Sequence, residues 1–518
     1  MNLFSKNSND HTRTEYAVLN IATGVGGYIL NTILGFICRM VFVRCLPPDY
    51  LGVNGLFTNI ISMLSLAELG VGGAVVYALY KPLAEHNEEK IASLVRFYGK
   101  AYKLIGIVIG LLGIALIPFL NLLIKDSPDI SESIYLLYLI NLFNTASTYF
   151  FSYRTSLIIA AQQNYIVTGL NYLITIAQSL IQIVLLIGTH NYLLYLMVQT
   201  LGTFSYNALV SKIAVKKFPY IISQDIKPLE QTEQKSIFAN IRDLMIYKVS
   251  GLLVNSTDDI LITFFNGLSV TGITSNYTLL TTTLNSLLGQ IFNSLTATVG
   301  NHNALESRRR KFEMFSFLNM MNFWIYGWAA LGIIFCSTDL VRLCFGPDYV
   351  LPIEIPVILA INFYSVGMMN AIWTYKHTMG LFKYGRTIQI FTGILNIVFS
   401  IALGKAFGVS GILIATFFAR LFTNLWYDPY VVYKFGFHKS PILYLRKYIK
   451  NIFLLGVAGI CCYFPIKLIT GDVLIQFAMK AIVCTLLTNI IFILGFYRTK
   501  EFKKMKNIVK YILELGKH

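Results

Sequence analysis

Residues 240–265, "NIRDLMIYKVSGLLVNSTDDILITFF", are long and apolar enough to cross a bilayer, yet they include Arg242, Lys248, Asp258 and Asp259. A charge at the centre of a spanning helix costs about 2.5–3.5 kcal/mol on insertion scales. At 100° per residue, Asn255 and Asp259 fall within about 20° of Lys248, so the three share one face. Lys248 and Asp259 are about 16 Å apart along the axis, too far for a neutralising pair on one helix. Arg242 and Asp258 lie near opposite ends and can reach headgroups by snorkelling. Lys248 and Asp259 cannot do so as easily, so this polar stripe is expected to face water, charge or a guest.

The rest of the chain has the same solvent. It has 518 residues, 55% hydrophobic and 13% charged, with mean hydropathy +0.62. Soluble domains carry about a quarter charged residues. Apolar runs of about 20 residues recur along it, the length needed to cross about 30 Å of hydrocarbon. No segment has the alternating pattern of an outer-membrane barrel. The expected fold class is an all-α polytopic membrane protein. The polar start, "MNLFSKNSNDHTRTEY", lacks the pattern of a signal peptide, so the first apolar run is expected to be retained as a helix. Cys38, Cys45, Cys336, Cys344, Cys461, Cys462 and Cys484 lie in or beside apolar runs with no CxxC pair, which argues for packing over disulfides or metal. No HExxH-like cluster is present. No metal or organic cofactor is called for.

Fourteen spans fit at roughly 17–44, 51–79, 98–121, 133–160, 166–188, 191–212, 240–265, 270–298, 314–337, 354–379, 385–405, 408–432, 447–468 and 474–496. The even-numbered connections are rich in Lys and Arg, as in "ESRRRKFE", "KHTMGLFKYGR" and "YKFGFHKSPILYLRKYIK". The odd ones offer only Arg44, Lys125, Arg342, Lys405 and Lys467. By the positive-inside rule both termini are cytoplasmic. The formal net charge of +17 is therefore a topology signal with an added pull toward anionic headgroups, not a nucleic-acid footprint. The expected organisation is a tail at 1–15, an N-lobe at 16–212, a linker at 213–239, a C-lobe at 240–433, accessory spans at 434–497 and a basic tail at 498–518.

The linker divides the first twelve spans into two sets of six that enter the membrane alike. "LGVNGLFTNI" (51–60), "TGITSNYTLL" (271–280) and "FGVSGILIAT" (407–416) echo one another after outer turns. This reads as a parallel repeat, a transporter layout with the substrate site between halves.

Further charges interrupt other spans: Arg39, Glu68, Arg154, Arg420 and Lys480. Arg154 can serve as a cytoplasmic anchor, Lys480 can face a headgroup or a neighbouring helix, and Glu68 can be a hydrogen-bonded acid or a proton carrier. Arg39, Arg154, Lys248 and Arg420 together would cost about 10–14 kcal/mol if unpaired in lipid. A wet cavity or an anionic guest removes that penalty. Arg matches phosphate oxygens with its forked donors and Lys acts as a point charge. The abundant Tyr, Asn, Gln, Ser and Thr fit a sugar-bearing guest, although helix packing in lipid uses the same residues.

Residues 44–85, "RCLPPDYLGVNGLFTNIISMLSLAELGVGGAVVYALYKPLAE", together with "NSTDDILITFFNGLSVTGITSNYTLL" (255–280) and "RTSLIIAAQQNYIV" (154–167), resemble the polysaccharide flippases of the multidrug/oligosaccharidyl-lipid/polysaccharide (MOP) exporter superfamily. The resemblance covers roughly residues 15–430 and is a pattern of turns and charges more than a fixed signature. It implies two six-helix bundles forming a V, with fourteen spans as in the lipid II flippase branch. It further implies a polyprenyl-diphosphate-linked oligosaccharide moved from the inner to the outer leaflet of a bacterial cytoplasmic membrane by alternating access, for surface polysaccharide biosynthesis. Arg39, Arg154, Lys248 and Arg420 would hold the diphosphate, Asn255 would line the cavity, and Glu68, Asp258 and Asp259 would be candidates for coupling to H+ or Na+. Implied partners include the bilayer, a polysaccharide polymerase and glycosyltransferases. With no GxxxxGK[ST] loop, ATP hydrolysis by this chain is not expected.

Two readings compete. A MATE-type drug antiporter calls for an acidic, aromatic cavity, against the basic balance here. A membrane enzyme, a polysaccharide polymerase or glycosyltransferase, would need catalytic acids or bases on a sizeable loop or domain that the short connections do not offer, so no enzyme is expected.

Overall fold

The computed structural model describes residues 13–65, 75–76, 78–79, 82–83, 85–120, 124, 130–161, 163–223, 228–230, 234, 257–384 and 386–515. Among them every regular element is helical. Eight helical segments among the described residues are long and apolar enough to cross a membrane. Their outward faces carry large apolar side chains such as Leu111 on one helix and Phe453 on another, 63% and 73% exposed. That is the surface hydrocarbon demands, with backbone groups bonded inside each helix. The chain forms two compact units, Met1–Leu252 and Leu253–His518.

In the first unit the helices are α1 (Arg13–Cys45), α2 (Pro48–Leu64), α3 (Glu88–Leu116), α4 (Ile134–Thr148), α5 (Ser152–Ala160), α6 (Asn164–Thr189) and α7 (Tyr192–Lys217). Pro47 caps α2 and Pro48 opens it. There a missing N–H costs nothing and the fixed φ suits a helix start. Asn87 and Asn191 cap α3 and α7, accepting from Lys90 N at 2.9 Å and Leu194 N at 3.0 Å. α1 packs along α6, α6 on α7, and α4 on both α3 and α7.

In the second unit are α8 (Thr257–Asn266), α9 (Leu268–Leu305), α10 (Arg308–Phe345), α11 (Glu354–Thr378), α12 (Arg386–Leu421), α13 (Asn424–Val431), α14 (Ile442–Lys467), α15 (Val473–Phe496) and α16 (Lys500–Leu515). α12 is interrupted at Gly408, whose φ of 57° and ψ of −134° are non-helical. The two arms fold back on each other there: a Cβ on Gly411 would sit 2.0 Å from the Leu403 carbonyl oxygen. Glycine is thus required at 408 by conformation and at 411 by contact. Gly411→Ala is expected to force the arms apart and cost about 1–3 kcal/mol, measured as a lower thermal midpoint of the purified protein. α8 lies against the α12 hairpin.

α14 and α15 pack within the second unit, α15 along α10 through a polar ladder. Trp324 Nε1 donates to Asn489 Oδ1 at 2.8 Å, Trp328 Nε1 donates to Thr485 Oγ1 at 3.2 Å, and Lys480 Nζ donates to Asp339 Oδ2 at 2.7 Å. α16 reaches the same helix by stacking Phe502 on Trp324, ring centroids 5.9 Å apart.

Candidate functional site

Arg39 sits half-buried on α1, and its charge reaches Tyr192 and Tyr195. Those two rings stack at 5.9 Å, and Phe42, one turn from Arg39, meets them edge-on at 5.6 and 5.2 Å. These rings gather about one turn along α1 from Arg39. Arg154, on α5, donates from Nη1 to Ser211 Oγ on α7 at 2.6 Å. That bond takes one of its five donors and fixes the fork's direction. Lys248, Asn255 and Glu68 lie outside the described residues.

The second unit builds its polar centre from α8 and the two arms of α12. Thr257 Oγ1 donates to Asn396 Oδ1 at 3.1 Å, and Asn396 Nδ2 donates to Thr416 Oγ1 at 2.9 Å. Thr416 Oγ1 in turn lies 3.0 and 3.3 Å from the two carboxylate oxygens of Asp258. Donors and acceptors run in one direction and end on the carboxylate. Asp259 and Arg420 act on Asp258 electrostatically, so an acid pair and a base share this neighbourhood. Asn396 is fully buried. One turn further along α12 the equally buried Ser400 hydroxyl has no hydrogen-bond partner among the described residues. A carboxylate, an amide oxygen and hydroxyls in a water-poor setting are the hard-oxygen donor set of a small cation such as Na+, and the same carboxylate can hold a proton.

Of the residues expected from sequence, Asp258, Asp259 and Arg420 therefore come together in the second unit, while Arg39 and Arg154 belong to the first. Lys480 faces a neighbouring helix, where it pairs with Asp339; their side chains are 16% and 6% exposed. Lys480→Ala leaves a buried carboxylate alone and is expected to destabilise the protein by about 3–5 kcal/mol, with Lys480→Met/Asp339→Leu recovering most of it. Thermal unfolding in detergent of the single and double variants measures this.

Thr257, Asn396 and Thr416 were not singled out by sequence reasoning, nor was the buried pair of Lys376 with Asp428. Single Asn and Thr residues in apolar runs look like helix-packing groups. Lys376 counted as one more base in a cytoplasmic connection.

No protein-family model matches the sequence, and no curated protein matches it. Among solved structures it is similar to "Lipid II flippase MurJ, inward closed conformation", with a TM-score of 0.68 and 17% identity over 93% of this chain and 99% of that one. It is also similar to an inward-facing multidrug resistance MATE family transporter of the MOP superfamily, at TM-score 0.51 and 14% identity over 77% and 94%. A Vibrio cholerae MATE transporter, VcmN, matches at TM-score 0.52 and 13% identity over 83% and 99%. Identities this low speak for the fold alone. The chain, helical throughout its regular elements among the described residues, thus has a multi-pass membrane fold similar to those of a lipid II flippase and of MATE transporters.

Proposed function

We propose that this protein is a flippase that carries a polyprenyl-diphosphate-linked oligosaccharide from the inner to the outer leaflet of the bacterial cytoplasmic membrane, for surface polysaccharide assembly. The carrying observation is the surplus of bases inside the membrane helices of a transporter fold, with Arg39, Arg154 and Arg420 each half-buried. A diphosphate cannot enter hydrocarbon, and guanidinium groups replace its water while the polyprenyl tail stays in lipid. In this reading fourteen spans form two six-helix bundles plus the accessory pair α14 and α15, with both termini cytoplasmic. Arg39, Arg154, Lys248 and Arg420 supply the positive charge that neutralises the diphosphate, with Asn255 as a polar lining residue. Alternating access is coupled to a proton or sodium ion at Asp258, with Asp259 and Glu68 as further acids. Polymerase and glycosyltransferases would act on either side of the transport step.

The test is mass spectrometry of lipid-linked sugars in a deletion strain. Repeat units attached to polyprenyl diphosphate are expected to accumulate, and the wild-type gene should clear them. Half-buried Asp258 also suits the second reading, a MATE-type cation antiporter. Robust ethidium efflux by the purified protein, with no lipid-linked sugar accumulating in the deletion strain, would favour that one.

A further inference from the structure

The polar contacts around Asp258 do not stop at that residue. Thr392, Asn396 and Ser400 are spaced four apart on the first arm of α12 and so lie along one face. One turn from Asn396, toward the start of α12, Thr392 Oγ1 lies 2.8 Å from Thr423 Oγ1 and 3.2 Å from Asn424 Oδ1. The backbone leaves the helix here, Thr423 having φ −128° and ψ −95°. One further turn along α13, Asp428 accepts from Trp373 Nε1 at 3.0 Å and pairs with Lys376, both on α11. Each step is about 6 Å along a helix axis. Thr392, Thr423 and Asn424 are all buried, as are Asp428 and Lys376.

Helix packing in lipid accounts for hydroxyl and amide contacts. It does not account for the ion pair at the end of the row. The Lys376 and Asp428 side chains are only 7% and 0% exposed, and a pair so desolvated is a poor source of stability compared with apolar replacements. An ammonium held on a carboxylate is, however, a cation already in place. Since α11 ends and α12 begins there, this is the cytoplasmic end on the topology proposed above.

We propose that this seam, from Asp258 through Thr392 to Asp428, is the route by which the coupling cation reaches the cytoplasm. Lys376 is its tethered stopper. The Lys376 ammonium occupies Asp428 when the route is empty, and an arriving cation displaces it. Hydroxyl and amide oxygens at each step suit a hydrated or partly dehydrated monovalent cation, or a proton passed between them. The inference rests on Asp258 being the coupling site and adds the path that serves it.

Two substitutions predict opposite signs. Lys376→Gln removes the stopper's charge while keeping a donor for Asp428, and Thr392→Val removes the middle hydroxyl with little change in shape. In proteoliposomes of the full chain, exchange of bound 22Na+ is expected to quicken about tenfold in the first and slow about tenfold in the second, a barrier change of about 1.4 kcal/mol each. Should wild-type protein bind no Na+, the same comparison is made on proton uptake and release after a pH jump. General loosening of the fold would move both variants the same way. Equal rates in all three proteins, or shifts of one sign, overturn the route. Should Lys376→Gln fail to fold, Trp373→Phe weakens the hold on Asp428 and is expected to quicken exchange as well; an unchanged rate there counts against the stopper. Asp258→Asn separates the two claims: retention of ion binding in that variant refutes the coupling site itself. Lost binding in Asp258→Asn with unaltered exchange in the others refutes only the path.

Discussion

Replacing Arg39 and Lys248 together by glutamate is expected to abolish surface polysaccharide and to trap lipid-linked repeat units in the inner leaflet. Each reversal turns an attraction for the diphosphate into a repulsion. At about 4 Å and an effective dielectric near 20, one unit-charge contact amounts to about 4 kcal/mol, so each swap shifts the balance by about twice that. Even after heavy discount for water and relaxation, transport should fall by more than about 100-fold, equivalent to about 2.7 kcal/mol. Charge-neutral Arg39→Gln with Lys248→Gln should fall between wild type and the reversal. The check is surface polysaccharide by blot together with lipid-linked sugars by mass spectrometry, at matched protein levels in the membrane. Normal export by the reversed protein would remove neutralisation of the diphosphate by these bases from the account.

The second large effect is expected at Asp258. Asp258→Asn keeps the size and a group that can accept from Thr416, but removes the negative charge that holds a cation. Ion-driven export should be lost. Thr416→Val keeps Asp258 and removes its donor. Hydrogen bonds to charged groups are worth about 1.5–3 kcal/mol, so this variant should weaken ion dependence about tenfold or more without erasing it. Export assayed against external Na+ and against pH identifies the ion and ranks the two variants. Equal activity in Asp258→Asn and wild type would move the coupling site elsewhere.

The order of those two effects could not have been written from sequence. Asp258 attracted notice because an acid in an apolar run is rare. Thr416 and Asn396 did not, because each is an uncharged polar residue in a mostly apolar stretch, "GILIATFFAR" and "LNIVFSIALG", where it looks like a packing group. They matter only because α8 and both arms of α12 meet, across a sequence separation of 158 residues between Asp258 and Thr416. Lys480 shows the same limit. Facing a neighbouring helix was one of its expected fates, but its partner, Asp339, lies 141 residues away. Asp339 itself stood in an outer loop region with no visible need for a counter-charge.

The amino-acid sequence alone determined the solvent, the helical class and several of the places where the chain turns, but not the breaks between α4 and α5 and between α12 and α13, which fall inside the expected spans 133–160 and 408–432. These depend on neighbours: the length of an apolar run, two adjacent prolines at Pro47 and Pro48, or a glycine such as Gly267 or Gly408, which the structure holds at φ 88° and 57°. Tertiary structure alone decided which polar groups share a centre. Thr257 with Asn396, Thr416 with Asp258 and Lys376 with Asp428 are matches between faces of different helices. A helix's own periodicity says which residues share a face, but not which other face it will meet, nor in what register. In hydrocarbon that choice is made by packing and by the need to pair every buried charge, and both act only once the helices are assembled.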